Sequence, residues 1–296
     1  MVRLHTVNVG KADCFVLEFI LDGETKWVVL DGGSKKTPVT LPLSYLRAHD
    51  VERIDLMILT HLHQDHLGYL ADIAYDPAIS IDTAVLPYPR IPLPAKRLPL
   101  VLPAPRAETV REYNHLHDAL ALQYTTVHTV FPFGEIPLFS YGAYTLQCVY
   151  PTAPMASPVC SAYLTAADAS DDAAAAMLDA SREQINADSS VWLLRKGNAP
   201  LALFCGDCVS SSVDEALSHS ENFTCPVVKL SHHGRNDKGR IYFTAAQIEA
   251  MRPQKLIITS DAKNDERHHA AWETLCAGAD LYVTCYSGEG FVFELD

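Results

Sequence analysis

Thr60-His61-Leu62-His63-Gln64-Asp65-His66-Leu67-Gly68 places four metal-ligand side chains within six residues: His61, His63, Asp65 and His66. The stretch before it, residues 53–60 (RIDLMILT), reads as a buried strand that delivers the chain to His61. A chain leaving a strand there can turn His61 and His63 toward one point. Asp65 and His66, at the start of a following helix, can reach a second point a few ångströms away. Two divalent ions ~3.5–4 Å apart are what a water-splitting site needs, one to orient substrate and both to acidify a bridging water.

Toward the N-terminus, residues 4–9, 14–19 and 26–30 are β-rich runs divided by Gly10 and by Asp22-Gly23. The third ends in Asp31-Gly32-Gly33, a tight turn, and residues 43–49 carry a short helical pattern. Toward the C-terminus, residues 87–106 hold seven prolines, which exclude both helix and central strand and predict an extended loop over or beside the site. Residues 109–123 have the apolar stripe of an amphipathic helix, and residues 127–133 and 144–150 read as strands. An Ala-, Ser- and Asp-rich insert follows at 153–187, with a solvated helix expected at 171–184. Further strands are expected at 190–194, 201–205, 227–230, 255–259, 281–285 and 291–295, with helices at 213–220, 245–251 and 270–277. This alternation predicts one α/β domain over residues 1–296, a two-sheet sandwich covered by helices.

Composition bounds the function. Twenty-three basic against 36 acidic residues give a net charge of −13, which opposes stable capture of duplex DNA but leaves room for a local basic patch at a cleft. No apolar run approaches the ~18–20 residues of a membrane helix, and the N-terminus lacks the basic-then-apolar pattern of a secretory signal. A cytoplasmic protein without membrane partners is expected. Eight scattered cysteines read as reduced thiols, and Cys205 and Cys208 as buried residues flanking a strand end.

The HxHxDH pattern resembles the signature of the metallo-β-lactamase superfamily. Leu30-Asp31-Gly32-Gly33, Phe204-Cys205-Gly206-Asp207 and Lys229-Leu230-Ser231-His232-His233-Gly234 are similar to its other landmarks. Within that superfamily, VNVGKADCFVLEF, KLSHHG, IITSDAKNDERHH and YVTCYSGEGFVFEL resemble the hydrolase domain of the competence DNA-uptake channel and its soluble relatives. The resemblance spans essentially the whole chain, with the Pro-rich loop and the Ala-rich insert least accounted for. It implies a four-layer αββα sandwich and a dinuclear hydrolase working through a metal-bridging hydroxide.

Matching positions imply that His61 and His63 hold the first metal, Asp65, His66 and His232 the second, and that Asp207 bridges them. The donor set suits zinc or manganese. Many members supply a third histidine to the first metal; here the matching segment, Asn186-Ala187-Asp188-Ser189-Ser190-Val191, has none. Asp188 or Asn186 is the candidate replacement. Asp31 is expected to hydrogen-bond the HxHxDH loop. Asp65 and His233 are candidates for catalysis, and His268 and His269 lie where the relatives have a loop histidine facing the substrate. His269 is therefore a candidate acid and His268 a substrate contact. Arg235, Lys238 and Arg240, following the His232 motif, form a candidate phosphate grip. These residues favour a phosphodiester substrate, such as single-stranded nucleic acid or a nucleotide-derived ester. Hydrolysis of a small ester, lactone or amide, and a binding module without turnover, are the alternatives.

Overall fold

The computed structural model describes residues 1–36, 39–132, 136–153, 155–218, 223–236, 239–276 and 278–295. Its strands are β1 (Val2–Val7), β2 (Phe15–Leu21), β3 (Glu24–Leu30), β4 (Arg53–Ile58), β5 (Ser80–Leu86), β6 (Thr126–Thr129) and β7 (Phe139–Tyr141), then β8 (Tyr144–Tyr150), β9 (Val191–Lys196), β10 (Ala199–Phe204), β11 (Val227–Lys229), β12 (Lys255–Ile258), β13 (Asp280–Val283) and β14 (Gly290–Leu295). They form two seven-stranded sheets, ordered β14-β1-β2-β3-β4-β5-β6 and β13-β12-β11-β10-β9-β8-β7. Between β2 and β3, Asp22 and Gly23 adopt φ of 52° and 83°, the left-handed pair that a two-residue hairpin requires. From β3 to β6, and from β10 to β13, neighbouring strands run parallel.

The sheets face each other across an apolar core. Phe15 of β2 meets Phe204 of β10 at 5.4 Å between ring centroids, and Phe19 meets Tyr144 of β8 at 6.0 Å. Helices Pro42–Ala48, Leu70–Tyr75 and Ala104–Leu122 contribute Leu46, Ile73, Val110 and Leu116 to this first buried cluster. A second cluster joins Leu203, Val228 and Ile258 to Val213, Ile248 and Trp272 of helices Ser210–Ser218, Ala245–Met251 and Ala262–Leu275. Helix, sheet, sheet and helix make a four-layer αββα sandwich. Each fully buried aliphatic or aromatic side chain contributes roughly 1.5–3 kcal/mol to holding these layers together.

Four local expectations change. The Pro-rich stretch contains a helical turn at Leu98–Val101, and the next helix begins at Ala104 rather than 109. Pro99 and Pro105 both sit in first turns, where the missing N–H has no helical partner to lose. An additional helix, Pro158–Ala166, starts in the insert, with Ser157 Oγ accepting from Cys160 N at 2.9 Å. Helix Ala262–Leu275 starts earlier than 270 because Asp261 caps it, accepting from Asn264 N at 2.7 Å.

Parallel strands all end on one edge, and there the chain deposits its polar residues: Asp31 after β3, His61 after β4, Asp207 after β10, His232 and His233 after β11. The crevice at the carboxyl ends of such strands is where α/β sheets place their sites.

Candidate metal centre

His61 and His63 leave β4 with Nε2 of the first 3.0 Å from Nδ1 of the second. His66 lies on the short helix Gln64–Leu67, fully buried. Asp31 fixes the loop as expected. Its Oδ1 accepts from Thr60 N at 2.8 Å, and its Oδ2 lies 2.8 Å from His66 Nδ1. The turn after β3 must approach closely: a Cβ on Gly68 would sit 2.1 Å from the Gly33 carbonyl oxygen.

Held by Asp31, His66 turns Nε2 toward Asp207, 3.3 Å from Oδ1. Asp207 Oδ2 stands 3.9 Å from His61 Nε2 and 3.7 Å from His233 Nε2, and the latter is 3.4 Å from Asp65 Oδ2. His61, His66 and Asp207 converge to within 4.8 Å of one another, as do Asp13, His66 and His233. His66 Nε2, Asp207 Oδ1 and His233 Nε2 are buried without a hydrogen-bond partner. Convergent buried donor atoms left without partners are costly unless something occupies the space between them, and a divalent ion fits this nitrogen and oxygen set.

The two histidines of the Ser231–Gly234 turn separate here. Sequence resemblance assigns His232 to the second metal, whereas the structure directs His233 at Asp65 and Asp207. Both residues take left-handed φ, 52° and 54°. That turn swings the His232 ring outward, where it stacks on Tyr242 at 3.8 Å and its Nδ1 lies 3.1 Å from the Arg235 carbonyl oxygen. Gly234 completes the turn at φ 71°, and its carbonyl accepts a hydrogen bond from Trp272 Nε1.

A buried ion pair supports the centre. Lys229, at the end of β11, pairs with Asp13 and donates to the Gly206 carbonyl at 2.6 Å, with Asp207 Oδ1 at 3.7 Å. Asp13 in turn lies 3.2 Å from His233 Nδ1. Burial opposes charge on Asp207, but His233, His66 and Lys229 outweigh it and hold the carboxyl well below its usual range. Burial likewise opposes ionisation of Asp13, and Lys229 and His66 overcome it, bringing Asp13 down to about 2. His61 is pushed down by burial and by His66 and His63 and stays a neutral nitrogen donor. His66 is driven up, against burial, by Asp207, Asp31 and Asp13. Asp13 and Lys229 carried no expected function. Their only sequence signal was membership of the motifs VNVGKADC and KLSHHG.

Other candidates lie apart from this cluster. Asp188 Oδ2 accepts from Tyr88 Oη and Ser157 Oγ, each at 2.5 Å, and burial pushes its carboxyl up to about 6. It is absent from the converging groups, because the one-turn helix Asn186–Asp188 points it into the core beneath the Pro-rich segment. Asn186 faces the other way and lines the cavity described next. His269 is on helix Ala262–Leu275, its Nδ1 2.8 Å from Asp265 Oδ1 and its Nε2 3.5 Å from Glu273 Oε1. Neither His269 nor His268 lines that cavity; the helix holding them packs Trp272 under the His233 turn instead. Arg235 and Arg240 do line it, while Lys238 lies outside the described residues.

The cavity opens beside His63 and His232, with a volume of about 570 Å³. Lys11, which faces Asp65, Asp207 and Asp261, forms part of its wall, and burial followed by Arg235 lowers its ammonium pKa. Among the described residues, no helix is long and apolar enough to cross a membrane.

Comparison with known proteins agrees with this architecture. The family model described as metallo-beta-lactamase superfamily matches residues 7–99. A search of curated protein sequences finds no match. Among solved structures, a CmlA beta-hydroxylase E377D mutant is similar at TM-score 0.52 and 12% identity, over 99% of this chain and 54% of that one. This chain therefore spans about half of that protein's length. The metallo-beta-lactamase fold protein YhfI from Bacillus subtilis is similar at TM-score 0.51 and 10% identity, over 99% of this chain and 100% of that one. A diphosphatase from the PhnP family gives TM-score 0.49 and 13% identity, over 100% of this chain and 98% of that one. At these identities the first two likenesses speak to fold alone. Two facing seven-stranded sheets, the matched N-terminal segment and a His/Asp cluster at the strand ends together identify the fold as that of the metallo-β-lactamases.

Proposed function

We propose that the protein is a dinuclear metal-dependent phosphodiesterase. The observation that carries this reading is the convergence of His61, His63, Asp65, His66, Asp207 and His233 next to a cation-lined cavity, whose wall includes His63. His61, His63 and Asp207 would hold one ion, and Asp65, His66, His233 and Asp207 the other, as zinc or manganese. When bound, such ions supply Lewis acidity toward a phosphoryl oxygen and acidify water near neutral pH.

The chain's own residues do the rest. Asp207 stays ionised between the two histidine sets. Asp31 fixes the His66 ring through Nδ1 and so aims Nε2 inward. Asp13 does the same for His233. Lys11, which Asp65 and Asp207 hold toward its charged form, and Arg235 line the cavity, where they would neutralise a bound phosphate and its departing oxygen. Cations in a protein of net charge −13 favour an anionic substrate over a neutral lactone or amide. The resemblance to competence-type hydrolase domains supports the same substrate class. Eight free cysteines suit a reducing compartment such as the cytoplasm.

The test is hydrolysis of bis-p-nitrophenyl phosphate by protein supplied with zinc or manganese, beside a chromogenic lactone. Phosphodiester turnover that disappears in His63→Ala supports the reading. Turnover of the lactone alone, or phosphodiester turnover unaffected by His63→Ala, would overturn it.

A further inference from the structure

We propose that the cavity seats a second phosphate, so that the preferred phosphodiester carries a terminal phosphate beside the scissile one. The inference rests on the phosphodiester reading and names its substrate class more closely. Among the described residues, Lys11, Arg106, Arg182, Arg235 and Arg240 line the cavity and Glu183 is the carboxylate of its wall, with Asp179 beside Arg182 at 3.3 Å. A phosphodiester brings one negative charge, fewer than the cations in the lining of this cavity. The volume of about 570 Å³ falls within the ~300–1,000 Å³ of small-molecule sites, so it accommodates more than the reacting group. Guanidinium groups match phosphate oxygens through paired N–H donors, and four of the five cations are arginines.

The two segments least explained by family resemblance build this wall. The Pro-rich stretch ends in Arg106, whose Nη2 donates to the Leu178 carbonyl at 2.9 Å in the insert. The insert supplies Arg182, Glu183 and Asn186. Arg97 clamps the segments together, pairing with Asp171 at 2.8 Å and donating to the carbonyls of Ala166 and Ala167 at 2.9 and 2.7 Å. The wall is thus fixed in advance, which limits the ordering cost of binding. Glu183 holds Arg182 at 3.2 Å and Arg240 at 3.3 Å. These are exposed pairs of low strength that an incoming phosphate can replace. Arg106 Nε and Asn186 Oδ1 are buried with no hydrogen-bond partner, and Asn186 is only 7% exposed. One unpaired donor and one unpaired acceptor in the same wall fit a ligand offering a phosphate oxygen and a hydroxyl or ring N–H.

The test compares kcat/KM for a thymidine dinucleotide with and without a 5′-phosphate, using the metal-supplied protein. Calorimetric binding of thymidine 3′,5′-bisphosphate against thymidine 5′-monophosphate gives a readout independent of turnover. The phosphorylated dinucleotide is expected to be preferred, and the bisphosphate to bind more tightly, by about tenfold or more, one to two charge-assisted hydrogen bonds. Both preferences should fall toward unity in Arg106→Ala and in Arg240→Ala, with circular dichroism confirming the fold. Equal kcat/KM for the two dinucleotides, or equal affinities for the two nucleotides, overturns the second-phosphate site while leaving phosphodiester hydrolysis standing. A bisphosphate preference that both variants abolish, in a protein that cleaves no phosphodiester, supports the anion site and defeats the hydrolytic reading.

Discussion

Replacing Lys229 by Met keeps the length of the side chain and removes its charge from the floor of the metal centre. In the native protein the ammonium is fully buried, pairs with Asp13, donates to the Gly206 carbonyl and stands 3.7 Å from Asp207. Asp13 is 1% exposed, so the substitution strands a carboxylate that water cannot reach. Breaking one side of such a pair costs about 3–5 kcal/mol. With a urea dependence of roughly 3 kcal/mol/M, the denaturation midpoint should fall by about 1–2 M. The assay is urea unfolding followed by circular dichroism on chelator-treated protein, which separates the ion pair from stabilisation by bound metal. Asp13→Asn alone should also destabilise, because His233 and Thr259 share that carboxylate. The double variant should be less unstable than the sum of the singles by about 2 kcal/mol, the signature of two groups in contact. A Lys229→Met protein within about 1 kcal/mol of native, or effects additive within ~0.5 kcal/mol, would refute the reasoning.

Two further perturbations follow from the same geometry. The Asp188 carboxyl has a folded-state pKa raised to about 6, so the native state holds this proton more tightly than the unfolded chain does. Its stabilising contribution is full below the unfolded value near 3.8 and is lost as pH rises through about 6, a change of about 3 kcal/mol. Denaturation midpoints of native and Asp188→Asn protein between pH 4 and 7 should diverge with that sign, and parallel curves would contradict the assignment. Gly234→Ala forces a Cβ to 2.8 Å from Trp272 Nε1 at φ 71°, and should cost about 1–3 kcal/mol and loosen His233, measured as a lower melting temperature together with weaker metal retention.

The sequence made the frame of the site legible because each part is a short, local pattern at a strand end. His61 to His66 follow a β-branched strand, Asp31 follows β3 and Asp207 follows β10, so period and turn residues alone bring them to one edge. The choice between His232 and His233 was not legible. Two adjacent histidines in left-handed conformation cannot be ordered by spacing, and the turn is set by Trp272, some forty residues on, holding the Gly234 carbonyl. The placement of Asp188 away from the converging His/Asp groups was not legible for a similar reason. Its partners Tyr88 and Ser157 come from the Pro-rich segment and the insert, whose packing no local pattern encodes. Charge pattern pointed to Arg235 and Arg240 but not to Arg106, which follows Pro105 in the first turn of helix Ala104–Leu122 and lines the cavity.

The proposed centre would hold two ions, with His233 as a ligand of the second. Metal content after equilibration with zinc or manganese and removal of loose ions measures this directly. About two ions per native chain are expected, about one in His233→Ala and about two in His232→Ala, since the His232 ring stacks on Tyr242 at the cavity wall. Native protein that retains no metal, or loss of an ion in His232→Ala with full content in His233→Ala, would contradict it.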